Sequence, residues 1–465
     1  MDRRSSANWS GRPSGIVIRV PARGSAASRV KKLSWMIALA GVIFVPLTID
    51  LKGLDVFRPP KEIAFLFVSI ALLALLGIGA VLGHLQRADL PPYWQLYVVI
   101  LGWVSLCTAA SDRPLLSVRS LLMTAGGLAL AAVVSSVGRY KPLRWLGILL
   151  VPAVINGALY AVQESGLWNP FMTKQQFAVF IAGSGRDAAV EIHGMSTGLL
   201  GNPTDVAGFL LPPALSLFAL ALVFRGRRRL AAVVGALVLF ALVVSTQILT
   251  AMIALLAGVA AAAFSATRGK MRFALMVGAL GCAAAIALSG PVRTKIIQNV
   301  SDLGHHRYDR ILTGRMPPFV AAFEMAREHK FLGVGPGCFA YRYLDYKSRA
   351  EQAHPWLINS PAGEVNFGAV HSDHLQIAAE EGIPGYLLFL VSLGVIAAGS
   401  FRKPTTEPQN PDLRHRFSQV ASLPVAVCFA VLAVTQFPLE LPSVVIGFIY
   451  LAALTISWKE VDEDT

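Results

Sequence analysis

The feature that most constrains this chain is an apolar run of about 20 residues, the length that crosses a bilayer as a helix, met again and again. Such runs lie near 34–51, 63–84, 93–111, 115–136, 144–163, 204–224, 229–246, 248–266, 272–289, 384–400, 421–437 and 441–458. Gln247 alone breaks the stretch 229–266 into two. Lipid offers the backbone no hydrogen-bond partners, so spanning segments are helices or closed barrels. The runs predict an all-α polytopic integral membrane protein with about twelve transmembrane helices. Composition agrees: 55% of the 465 residues are hydrophobic and 15% are charged, against about 25% charged in soluble domains.

The net charge of +14 invites a nucleic-acid reading. The cations sit in short loops between apolar runs, where they act as topology signals, so no nucleic-acid partner is expected. With the N-terminus cytoplasmic, one set of loops carries Arg139, Lys141 and Arg144, then Arg225, Arg227, Arg228 and Arg229, then Arg268, Lys270 and Arg272, then Arg402, Lys403, Arg414 and Arg416. The opposite loops are poorer, with Lys52, Arg58 and Lys61 as the exception. Both termini are thus expected in the cytoplasm: a basic tail at 1–33 and an acidic one at 459–465, flanking an integral domain at 34–458. A transit peptide is the rival reading of the Arg- and Ser-rich start. Two long external loops follow, 164–203 and the large late loop 290–383.

Cys107, Cys282, Cys338 and Cys428 form no Cys-x-x-Cys pair, which supports neither a zinc ribbon nor a disulfide framework. The spans carry few ionisable residues, whereas coupled transporters place charge near mid-membrane. No cofactor motif is present.

The late loop concentrates the polar chemistry. Arg315 precedes Met316-Pro317-Pro318, which opens an expected amphipathic helix to about His329 with Phe319, Val320, Phe323 and Ala326 on one side. Arg315 suits a phosphate, being a planar fork of donors, or a solvated surface. Gly333-Val334-Gly335-Pro336-Gly337 is an anion cradle or a plain turn. Tyr341, in an aromatic run with Phe339, Tyr343 and Tyr346, suits sugar stacking or the membrane interface. His371-Ser372-Asp373-His374 puts two histidines on one face if helical, with Glu381 returning to that face and Glu380 opposite. That is a general-base arrangement, a helix cap, or a metal pair without the His-Glu-x-x-His spacing; no metal site is assigned. In the earlier loop, Asn202-Pro203-Thr204-Asp205 reads as a turn and helix entry.

Together these pieces resemble the O-antigen ligase and O-antigen polymerase superfamily of bacterial membrane glycosyltransferases. The resemblance rests on Gly201-Asn202-Pro203-Thr204-Asp205-Val206-Ala207, on Arg315 followed by Gly333 to Phe339, and most specifically on His371-Ser372-Asp373-His374-Leu375-Gln376, Glu380, Gly382-Ile383-Pro384-Gly385. The family often has an arginine shortly before the first stretch; here Met195 stands near there and Arg186 lies further off. It often has another arginine where this chain has Ser245 to Thr250.

The resemblance implies a GT-C-like, metal-independent glycosyltransferase of the bacterial inner membrane. It would move a glycan from an undecaprenyl-diphosphate carrier to a glycan, lipid A core or protein acceptor at the outer face of the bilayer. His371 would activate the acceptor hydroxyl, with Glu380 as the family's acid and Glu381 beside it. Arg315 would bind the diphosphate, and His374, Arg186, Asn202 and Tyr341 would line the substrate. The competing classes are a non-catalytic transporter and an assembly component of a polysaccharide export system.

Overall fold

The computed structural model describes residues 24–53, 55–83, 90–137, 142–171, 196–267, 277–278, 281, 290–305, 308–312, 314–358, 366–401 and 413–456. Within them the order is α1 (Gly24–Phe44), α2 (Arg58–Val81), α3 (Trp94–Ala110), α4 (Pro114–Val137), α5 (Pro142–Glu164), α6 (Pro203–Val223), α7 (Gly226–Ser245), α8 (Leu249–Ala266), α9 (Gly290–Gly304), α10 (Tyr308–Ile311), α11 (Met316–Glu328), α12 (Phe339–Ala353), α13 (Asp373–Ala398), α14 (Leu413–Leu432) and α15 (Pro442–Ile456). No strand occurs among the described residues.

Nine of the described helices are long and apolar enough to cross a membrane, and α3 and α15 are shorter apolar helices. These account for eleven of the expected spans; most of the run expected at 272–289 lies outside the described residues. Gln247 does divide α7 from α8, taking a left-handed φ of 53°.

Several expected boundaries move, and the two largest shifts are at helix starts. α1 starts at Gly24, not near residue 34. α13 starts at Asp373, eleven residues before the expected 384. Gly382 explains the second shift, because its φ of 72° and ψ of −179° break α13 into two helical pieces. The later piece is the apolar run visible in the sequence, while the earlier one carries the polar motif.

α6 is the most buried span and lies against α5, α7, α8, α14 and α15. Small residues let these helices approach: Gly258 on α8 leaves room for Leu215 and Cys428, and Gly208 on α6 faces Val444. Close backbone approach is the main source of helix association in lipid, where burial of apolar surface drives little.

One end of the bundle gathers the start of α2, the α3–α4 turn, residues 196–202, residues 433–441 and an outer layer of α11 and α12. α1 leads into α2 at this end and α15 starts there, so Gly24 and Ile456 lie at the other end.

Candidate active site

The outer layer is pinned to α13 at its kink. A break in a helix frees backbone groups that need new partners. Val334 N–H donates to Ala379 O at 2.9 Å, Gly335 N–H to Glu380 O at 3.0 Å, and Ile383 N–H to Lys330 O at 2.8 Å. Such contact tolerates no side chain. A Cβ on Gly333 (φ 65°) would stand 2.2 Å from the Glu380 carbonyl carbon, and one on Gly382 would stand 2.1 Å from Phe331 O. The glycine-rich turn cradles an internal carboxyl group. Glu380 Oε2 accepts from Gly337 N–H at 2.8 Å and Oε1 from Phe339 N–H at 3.0 Å. Both oxygens of Glu380 are thereby engaged in holding the turn and the start of α12.

The α3–α4 turn completes the attachment. Arg113 donates to Tyr341 Oη at 2.6 Å and lies 4.8 Å over its ring. Arg342 pairs with Asp112, and buried Cys338 sits 3.2 Å from Ser111 Oγ. The buried side of α11 is Ala321, Ala322 and Met325. Of the expected apolar side, Phe319 packs against this cluster while Phe323 is 59% exposed. Two alanines allow α11 to lie close on α13, where a phenylalanine would hold it off.

His371 stands just before α13 with a left-handed φ of 63°, uncommon for a residue with a Cβ. Its neighbours hold it there. Val370 N–H donates to Gln376 Oε1 at 3.1 Å, Ser372 Oγ to Ala433 O at 3.3 Å, and Asp373 N–H to Ala433 O at 3.0 Å. Asp373 Oδ2 accepts from Leu439 N–H at 3.0 Å. The imidazole is wedged edge-to-face between Phe437 at 4.4 Å and Phe367 at 5.6 Å. Its Nδ1 is buried without a hydrogen-bond partner among the described residues, so an approaching molecule can reach only Nε2.

Two guanidinium groups face this histidine. Arg315 donates to Thr435 O at 2.9 Å. Arg58, from the start of α2, lies 5.6 Å over the same Phe437 ring and 3.1 Å from Glu62 Oε1. Burial first, then the positive charges of Arg315 and Arg58, hold the His371 imidazole down to about 4. It is therefore neutral near pH 7, in the form that accepts a proton. Behind Arg58 runs a strip of fixed charge: Arg119 pairs with Glu62, and Glu440 Oε1 accepts from Gln376 at 3.1 Å. Burial raises the Glu440 carboxyl above its ordinary range against the pull of Arg58 and Arg119.

The other sequence candidates are elsewhere. His371 and His374 do not share a helical face, because His371 precedes the helix. His374 turns to α14, with Nε2 3.0 Å from Ala430 O and its ring 5.4 Å from Phe389. Glu381 is the last residue of α13 before the kink; its carbonyl accepts from Trp103 Nε1 at 3.1 Å. Asn202 caps α6, accepting from Asp205 N–H at 2.9 Å. Arg186 lies outside the described residues. Among the described residues no three His, Cys, Asp or Glu side chains converge as a metal ligand set.

Sequence reasoning missed Arg58, Phe437, Thr435 and Glu440. Arg58 did carry a signal, as a cation on the side that charge asymmetry leaves poor. A family model described as O-antigen ligase matches residues 206–390. No curated protein matches the chain. The matched segment runs from α6 into the second piece of α13 and holds Arg315, the glycine turn, His371 and Glu380.

Proposed function

From the match of residues 206–390 to the O-antigen ligase family model, we propose that this integral membrane protein transfers a glycan from an undecaprenyl-diphosphate carrier to an acceptor hydroxyl at the outer face of the bacterial inner membrane. The observation that carries the reading is His371, neutral near pH 7 in the field of Arg58 and Arg315, with its Nδ1 unpartnered among the described residues.

In this reading His371 Nε2 takes the proton of the acceptor hydroxyl as its oxygen attacks the anomeric carbon. The new glycosidic C–O bond forms as the bond from that carbon to the diphosphate oxygen breaks. The carrier leaves as polyprenyl diphosphate with the electron pair, and the configuration at carbon inverts. Arg58 and Arg315 stand where the leaving group's charge develops, and fixed donors aimed at such charge are the largest single aid to reactions of this kind. No step is assigned to a metal. Glu380 acts as a positioning residue through the glycine turn, because each of its oxygens accepts a backbone N–H of that turn.

Arg58 also answers the two family arginines missing near Met195 and Ser245. It supplies a second cation from the N-terminal half, beyond the matched segment.

The test is glycan transfer in a deletion strain complemented with wild type, His371→Ala, Arg315→Ala or Arg58→Ala. Loss of transfer with normal membrane insertion is expected for each. Long polymer left on the carrier identifies a ligase, and single repeat units left there identify a polymerase.

A further inference from the structure

A partly open cavity of about 330 Å3 lies beside the kink, between α3, α4, α13, α14 and α15. Its walls are apolar, with Leu388, Phe429 and Trp103 among them. Its polar end carries Glu381, Asp373, Glu380 and Glu440 against a single cation, Arg119.

The carboxylates at that end differ. Glu380 is occupied by two backbone N–H groups, Asp373 by Leu439 N–H, and Glu440 by Gln376 and the Arg58 guanidinium. Arg119 is paired with Glu62. Glu381 has no hydrogen bond or ion pair on its carboxyl group among the described residues, although it lines the cavity. Its backbone carbonyl accepts from Trp103 Nε1 and Cys107 Sγ. A carboxylate held in apolar surroundings without a partner is costly. The missing partner is a cation or a strong donor, and the apolar walls ask for an aliphatic chain on the same molecule.

We infer that this cavity binds a membrane lipid with a primary ammonium head, its ammonium on Glu381, its acyl chain along Leu388 and Phe429, and its phosphate toward Arg119. An unpartnered carboxyl group at the polar end disfavours an anionic lipid, and disfavours the carrier diphosphate that the proposed function places at Arg58 and Arg315. The inference concerns lipid occupancy and stands apart from the transfer reading.

The test uses the full-length protein purified in mixed micelles of phosphatidylethanolamine and phosphatidylglycerol with matched chains, with retained lipid counted by native mass spectrometry. The wild type is expected to retain the ethanolamine lipid over the glycerol lipid by about tenfold, the scale of an ion pair away from bulk water. Glu381→Gln should bring that ratio close to one. Ala131→Phe, which fills the cavity and keeps Glu381, should lower retention of the ethanolamine lipid itself. Equal retention of both lipids by the wild type overturns the proposal. So does a preference that survives Glu381→Gln, or retention unchanged by Ala131→Phe.

Discussion

Glu380 on α13 accepts the backbone N–H of Gly337 at 2.8 Å, across 43 residues of chain. This bond, with its twin to Phe339, ties the glycine turn to the helix whose first residues follow His371. A buried carboxylate so engaged holds structure, and its loss leaves orphaned donors costing about 1–3 kcal/mol each. Glu380→Ala should therefore lower the thermal midpoint and expose residues 330–339 to protease, with activity falling alongside. A Glu380→Ala protein of wild-type stability but no activity would instead mark a direct chemical role.

The glycine turn makes a sharper steric prediction. Gly333→Ala places a Cβ 2.2 Å from the Glu380 carbonyl carbon at a φ of 65°. The outer layer must then lift from α13, at a cost of about 1–3 kcal/mol for the backbone alone. Thermal unfolding in detergent measures it, and a midpoint equal to wild type would refute the close approach.

The arginine pair is expected to act through charge and shape together. Arg58→Ala and Arg315→Ala should each slow transfer by about 10²–10³, the usual loss for one fixed donor at a developing anion. Arg315→Lys should recover only part of that, since an ammonium cannot form a planar two-bond fork. Steady-state transfer with purified carrier-linked glycan reads both effects. Full activity in Arg58→Ala would remove Arg58 from the site.

The pH dependence has a definite sign. In the free protein burial, Arg315 and Arg58 hold His371 at about 4, so it loses its proton as pH rises through that value. A diphosphate between the arginines opposes their field and favours the imidazolium, which raises the value. kcat/KM reports the free enzyme and kcat the complex. The acid limb of kcat should thus lie at higher pH than the acid limb of kcat/KM. Coincident limbs would show that the bound donor does not influence His371.

The helical architecture was largely legible because each span is a local signal. A run of about 20 apolar residues needs no distant partner to be recognised. Asn202 was legible for the same reason, since an Asn-Pro helix entry is local chemistry. The kink at Gly382 was not, because a glycine and a proline inside an apolar run leave the break's position open until Lys330 and Phe331 pack on it. The facing of His371 and His374 also depended on that local backbone, and the left-handed φ at His371 separated them. Arg58 was the furthest out of reach. Its place beside Phe437 is made by packing α2 against the segment between α14 and α15, almost the whole length of the chain away.

The central claim is that His371, in the field of Arg58 and Arg315, performs the transfer. The most direct measurement follows a labelled glycan from its undecaprenyl-diphosphate carrier to acceptor, comparing purified wild type with His371→Gln of matched thermal stability. The account predicts that His371→Gln still binds the carrier-linked glycan and transfers essentially none of it. Transfer at the wild-type rate would contradict the account and leave the polar end of the bundle as scaffold in a larger export assembly.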